Sequence, residues 1–348
     1  MSDIAFAIPG DIGLPTGGYA YDRRVIEEAP RAGGRLRHVA LPAGFPFPSP
    51  AELEASTAIL HARPPGQTVL IDGLALGALP ATLLRGLERP LAALVHHPLA
   101  LESGLNEAQR AQLFASETAA LAEVAAVIAT SPATARLLVQ DYGVPAARLS
   151  VALPGTDPCP RATGTGRPLR LLAVGSVIPR KAHGVLVDAL ADLRAQDWTC
   201  HIVGATDRDA QETAQVEARI AAHGLGARIR LTGALSPERL ADEFAAADLF
   251  VSASLFEGYG MGLTEALAHG LPVVATRAGA IPDTVPAEAA LLAEPGDALS
   301  LAAALRRLLD APEQRCRLAD AAWHYGQSLP TWTQTAATLL AALKEMPR

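Results

Sequence analysis

At 348 residues, half of them hydrophobic and 19% charged, the chain is long enough for two domains with separate cores and too apolar for disorder. A formal net charge of −7, with no long basic stripe to neutralise phosphates, argues against a nucleic-acid partner. Cys159, Cys200 and Cys316 are few and widely spaced, which excludes a disulfide framework or zinc knuckle and fits a reducing cytoplasm.

The first predicted element is an apolar strand, Ile4 to Ile8, running into a glycine turn without the basic start and long apolar run of a signal peptide. No stretch reaches the 18 or more uninterrupted apolar residues of a membrane span, so a soluble, cytoplasmic protein is expected, with peripheral membrane docking left open. Gly17 and Gly18 follow, between the first strand and the first helix, which alone is ordinary turn chemistry. No G-x-G-x-x-G follows that strand and no G-x-x-x-x-G-K-[ST] occurs, which argues against a dehydrogenase and a P-loop nucleotidase.

Further strands are expected at Leu36 to Leu41, Val69 to Asp72, Leu91 to His96 and Val124 to Thr130, with helices at Glu107 to Glu123 and Pro132 to Tyr142. Pro154 to Pro168, dense in Pro, Gly and Thr, reads as a linker. A second series of strands then follows: Leu169 to Val174, Cys200 to Val203, Ile229 to Thr232, Leu249 to Ser252, Pro272 to Ala275 and Ala289 to Leu292. Such alternation marks an α/β chain with parallel sheets, here in two doubly wound, Rossmann-like domains at 1–160 and 167–326. Two helices, Asp297 to Asp310 and Pro312 to Tyr325, precede a break at Ser328-Leu329-Pro330 and a last helix, Trp332 to Glu345.

The most informative segment is FEGYGMGLTEALAHGLPVVAT, residues 256–276. Glu257 lies in a loop with Gly258, Tyr259 and Gly260, and Glu265 in the helix that follows. Glycines let a backbone approach a ligand, and a helix N-terminus offers free N–H groups and a favourable dipole to an anion. The carboxylates are then free to hydrogen-bond hydroxyls. Phosphate at one end and polyhydroxyl at the other describe a nucleotide sugar. Upstream, VGSVIPRKAHGVLVDAL sets Lys181 just before a helix, where a cation opposes the dipole unless an anion sits beside it.

The pair Glu257 and Glu265 resembles the E-x7-E motif of retaining glycosyltransferases, in particular family 4, whose fold is GT-B, with two Rossmann-like domains facing a cleft. The resemblance implies that 167–326 is the nucleotide-sugar donor domain, and that 1–160 is the acceptor-side domain, completed by the C-terminal helix, 330–348. It implies that Glu265 holds the donor ribose, that Glu257 lies at the donor sugar, and that the backbone of Gly258 to Gly260 contacts its hydroxyls or the pyrophosphate. Lys181 keeps the lysine of the family's second donor motif. The usual arginine is Ser176 in this chain, so either Arg180 supplies the second charge or the site relies on Lys181 and the serine hydroxyl. Gly17 and Gly18 would lean over the donor phosphates or the acceptor. His96 or His97, with His97 favoured, would take the place of a family histidine that bonds the donor sugar; a buried structural histidine is the alternative. Adjacent histidines point apart on a strand and make a poor metal pair.

At the ends of other strands, Asp72 and Gly73, with Asp22 or Arg23, are candidates to touch an acceptor, and Asp283 is expected to cap a turn. No carboxylate or histidine grouping along the sequence suggests a bound divalent metal, so no metal or other cofactor is expected and the leaving group's charge falls to Lys181, Arg180, Ser176 and helix N-termini. The resulting expectation is a metal-independent transferase moving a hexosyl group from a UDP-, GDP- or ADP-linked sugar to a small-molecule or lipid-linked hydroxylated acceptor. The alternatives are a nucleotide-sugar epimerase of the same fold, or a non-catalytic nucleotide-sugar binding protein with Ser176 as the sign of lost chemistry.

Overall fold

A computed structural model describes residues 3–346; the outermost ends of the expected first domain, residues 1–2 and 347–348, lie outside the described residues. The chain divides into two compact units, Met1–Gly155 with Pro330–Arg348, and Thr156–Leu329.

The first unit is built on six strands: β1 (Ile4–Pro9), β2 (Leu36–Leu41), β3 (Val69–Asp72), β4 (Leu91–Val95), β5 (Ala126–Ala129) and β6 (Leu149–Val151). They form one parallel sheet in the order β2-β1-β3-β4-β5-β6. Every residue of β1, β3, β4 and β5 is buried, as an apolar run covered by helices on both faces must be. β6 is a half-buried edge strand of three residues that the sequence did not announce, because so short a run shows no period. The last helix, Trp332–Lys344, lies on helix Gly17–Glu28: Trp332 meets Tyr21 edge to face at 5.7 Å, and Thr333 Oγ1 donates to Glu28 at 2.7 Å.

The second unit carries β7 (Leu169–Val174), β8 (Trp198–Val203), β9 (Ile229–Gly233), β10 (Leu249–Ser252), β11 (Val273–Thr276) and β12 (Ala290–Ala293), all parallel, in the order β12-β11-β10-β7-β8-β9. Its core gathers Trp198, Leu171, Leu186, Leu190 and Ile202. The Pro/Gly/Thr segment is no free linker. Ala162 N–H donates to His269 O at 2.8 Å, Thr163 N–H to Ala245 O at 3.0 Å, and Asp248 accepts from Thr165 and Gly166. With its backbone groups satisfied there, the segment belongs to the second unit, and the first ends at Gly155 rather than near residue 160.

Two such Rossmann-like sheets are the GT-B fold. In each sheet the strand order reverses once, between β1 and β3 and between β7 and β10. Outside the carboxyl ends of strands at such a reversal, open parallel sheets bind ligands. The loops leaving those strands hold most of the residues singled out from the sequence.

Candidate functional site

In the second unit, β7 leads through Ser176 into a single tight turn, Pro179–Lys181, and β10 leads into the loop carrying Ser254 and Glu257. The two loops meet. Lys181 Nζ lies 2.6 Å from Glu257 Oε1, Arg180 Nη1 lies 3.5 Å from Oε2, and Ser254 Oγ donates to Oε1 at 2.6 Å. The loops are also joined through their backbones: Leu255 N–H donates to Arg180 O at 2.8 Å, and Arg180 Nη1 donates to Phe256 O at 3.0 Å. Glu257 is 7% exposed. Burial would raise its pKa, but Lys181 and then Arg180 outweigh burial and hold the carboxyl below its ordinary value. The anion demanded by a lysine ahead of helix His183–Ala191 is thus supplied by the protein itself.

Gly260 closes this loop with φ +95°, as N-cap of helix Met261–Ala268, and no side chain caps that end. It is that positive φ which calls for glycine; a Cβ there would also crowd the Leu263 side chain. Tyr259 is buried, with its carbonyl accepting from Thr284 Oγ1 at 2.8 Å, and it shapes the loop. Glu265 projects from the helix. Burial first, and the Asp157 carboxylate second, push its pKa up to about 7. Among the described residues its carboxyl has no hydrogen-bond partner. Asp283 lies inside the one-turn helix Ile281–Thr284, whose N-cap is Ala280, and so does not cap that helix.

Sequence reasoning missed three residues here. Ser254 buttresses Glu257; Asp157 faces Glu265 from the segment read as linker; and His183, buried with Nε2 3.2 Å from Gly175 O, has its pKa lowered to about 4 by burial. Only Ser254, beyond a strand end and three residues before the glutamate, carried a readable signal.

In the first unit, Gly17 and Gly18 are the first residues of helix Gly17–Glu28, capped by Thr16, rather than a loop ahead of it. Gly18 lies against the His96 ring, where a Cβ would sit 3.2 Å from Cδ2. β4 stops at Val95, so both histidines fall in the turn beyond it. They part company: His97 Nε2 lies 3.0 Å from Glu102 Oε2, whereas His96 Nε2 lies 3.1 Å from Asp22 Oδ1 and 3.5 Å from Asp72 Oδ2. Burial lowers the His96 pKa, but the two carboxylates outweigh it and push it up to about 10. Spacing along the chain had shown no cluster of histidine and carboxylate; the sheet order assembles one. Asp22 is fully buried and so not open to an acceptor, while half-buried Arg23 donates from its guanidinium to the carbonyls of Ile12 and Leu14.

Residues 12–155 match the family described as "Glycosyl transferase 4-like domain" and residues 168–311 the family described as "Glycosyl transferases group 1". The MMP alpha-(1->4)-mannosyltransferase of Mycolicibacterium hassiacum is 30% identical over an alignment 319 residues long that covers 87% of this chain and 76% of that protein. The chain belongs to the group 1, family-4-like glycosyltransferases. The mannosylfructose-phosphate synthase of Agrobacterium fabrum is 31% identical over 63% of this chain, which spans 52% of that protein. Among solved structures, sucrose-phosphate synthase from Thermosynechococcus elongatus superposes with a TM-score of 0.81 at 22% identity, over 98% of each chain. HepE from Anabaena, solved with UDP-glucose, superposes with a TM-score of 0.80 at 18% identity, over 99% of this chain and 100% of that one. No helix among the described residues is long and apolar enough to cross a membrane.

Proposed function

We propose that this glycosyltransferase moves a hexosyl group, with retention of anomeric configuration, from a nucleotide-diphosphate sugar held by the second unit to a hydroxylated acceptor. The observation that carries the reading is the meeting of Lys181, Arg180 and Glu257 at the β7/β10 strand reversal, beside a helix N-terminus without a side-chain cap. Two cations gathered at a strand reversal, beside free helix N–H groups, suit a diphosphate. The solved structure of HepE with UDP-glucose supports a nucleotide-sugar donor.

On this reading the donor diphosphate takes Lys181 and Arg180 from Glu257, and the freed carboxylate accepts from hydroxyls of the sugar. Glu265, unpartnered and half-buried, accepts from the ribose. As the bond from anomeric carbon to phosphate oxygen breaks, charge grows on that oxygen, where Lys181 is already in place to meet it. The acceptor hydroxyl attacks the same face, and its proton passes to the leaving phosphate.

Thermal unfolding with UDP, GDP, ADP and their sugar conjugates tests the donor. A nucleotide at about a hundred times its Kd adds roughly 2.7 kcal/mol, seen as a shift of a few degrees. One nucleotide should win, and its shift should vanish in Glu265→Ala. No shift with any of them removes the proposal.

A further inference from the structure

Just beyond β7, the peptide joining Gly175 to Ser176 is held from three sides. His183, the first residue of helix His183–Ala191, is buried and sets Nε2 3.2 Å from the Gly175 carbonyl oxygen. Gly204, just past β8, lies against the same peptide: a Cβ there would overlap the Gly175 carbonyl and come 2.8 Å from Ser176 N. The methylene stem of Lys181 covers Gly175, where a Cβ would sit 3.0 Å from Cε. We infer that His183 is a positioning residue for glycosyl transfer: it locks the Gly175–Ser176 peptide so that the Ser176 N–H and the Lys181 ammonium meet the donor diphosphate together. This deepens the donor reading above and rests on it.

A carbonyl oxygen can only accept, so Nε2 carries the ring proton and donates it. Burial lowers the ring's pKa to about 4, and the imidazole stays neutral as it donates. A neutral donor suits this place, because the helix N-terminus carries partial positive charge and Lys181 and Arg180 stand beside it. The peptide is planar and trans, so fixing its oxygen also fixes its N–H, in the opposite direction.

That direction matters. Gly175 N–H donates to Val203 O and Val177 N–H to Ala205 O, each at 2.8 Å, which turns both toward the β8 side. Ser176 lies between them, and alternation along an extended chain turns its N–H to the β10 side, where the Glu257 loop begins. Among the described residues, neither that N–H nor the Ser176 hydroxyl has a hydrogen-bond partner. Lys181, its stem seated on Gly175, ends at Glu257 in the same loop, 2.6 Å away. A bare backbone N–H beside an ammonium, at the carboxyl end of a strand, is the kind of donor group that cradles phosphate. His183 touches neither the diphosphate nor the sugar in this picture; it acts through the peptide it holds.

The test compares His183→Phe, which keeps a ring and loses the donor, with His183→Gln, whose amide nitrogen takes the place of Nε2. Steady-state kinetics of the full chain use the nucleotide sugar that stabilises the wild type. His183→Phe should lower kcat roughly 100-fold, the cost of misplacing reacting groups by about an ångström, and His183→Gln should restore at least about a tenth of the wild-type rate. In a Lys181→Ala background the same His183→Phe change should cost less than about 10-fold, because one of the groups it aligns is gone. Circular dichroism and cooperative unfolding check that each variant folds. If His183→Phe does not, His183→Asn, too short to reach the Gly175 carbonyl, replaces it. A full-sized loss in the Lys181→Ala background, a wild-type kcat in the folded variant, or a glutamine no better than phenylalanine overturns the inference and leaves the donor reading standing. A wild type that turns over no UDP-, GDP- or ADP-linked sugar removes the donor reading, and this inference with it.

Discussion

The two units present chemically opposite clusters at the same topological place. Beyond β7 and β10, two cations close on one carboxylate; beyond β1, β3 and β4, two carboxylates close on one imidazole. Both sheets are parallel, six-stranded and reversed once, so the backbone provides each unit with the same kind of ligand-binding edge. The charge on that edge is decided by a few side chains at strand ends. A shared fold therefore predicts where a ligand binds and leaves its sign to the sequence.

The sharpest way to break this contrast is to remove the cation. Lys181→Ala should lower kcat about 100- to 1000-fold, the range for losing one preorganised donor to a developing negative charge. Steady-state kinetics with the donor found by thermal shift would show it, and a wild-type rate would end the assignment of Lys181. Next in size, Glu265→Ala should raise the donor KM roughly 10- to 100-fold, the loss of hydrogen bonds to a charged group. Because the Glu265 pKa is raised to about 7, its carboxylate is fully formed only above that pH. Donor KM should therefore fall as pH rises from 6 to 8, and Glu265→Gln should flatten that profile.

A smaller effect sharpens the view of the first unit as the one with buried negative charge. Glu117, 1% exposed, accepts from Leu99 N–H at 2.8 Å, and burial pushes its pKa up to about 8. Between its ordinary value and 8 the folded chain binds more protons than the unfolded one, so this group makes stability fall as pH rises through that window. Urea unfolding at pH 6 and 8.5 should show the fall, and Glu117→Gln should reduce it. Smallest of all, Ala182 sits beside Lys181 at φ +49°, a left-handed conformation that only glycine adopts without cost. Ala182→Gly should raise stability by about 1 kcal/mol, measured as a higher Tm.

Most of the architecture was legible because fully buried parallel strands are continuous apolar runs. Leu36–Leu41, Val69–Asp72, Leu169–Val174 and Leu249–Ser252 have the bounds their runs suggested. The site was legible only where its parts are close in sequence. Glu257, Gly260 and Glu265 span a single loop and helix, and local rules suffice to read them. The partnership of Lys181 with Glu257, and that of Asp22 with Asp72 and His96, depend on which strands become neighbours. Periodicity says that a strand exists and nothing about its place in the sheet. The same limit hid the attachment of residues 162–166 to the second unit, since a run of Pro, Gly and Thr reads as loop whatever it packs against.

The helix Trp332–Lys344 completes the first unit, although the whole second unit precedes it in the chain. Its buried Leu339 and Leu340, and the bond from Thr335 Oγ1 to Leu153 O at 2.8 Å, are missing while residues 156–329 are being translated. At the usual pace of synthesis that interval lasts roughly ten to forty seconds. The unit made first is thus the last to be finished, and on the ribosome it must wait with an apolar groove open. A nascent chain stalled before Pro330 should present that groove to chaperones.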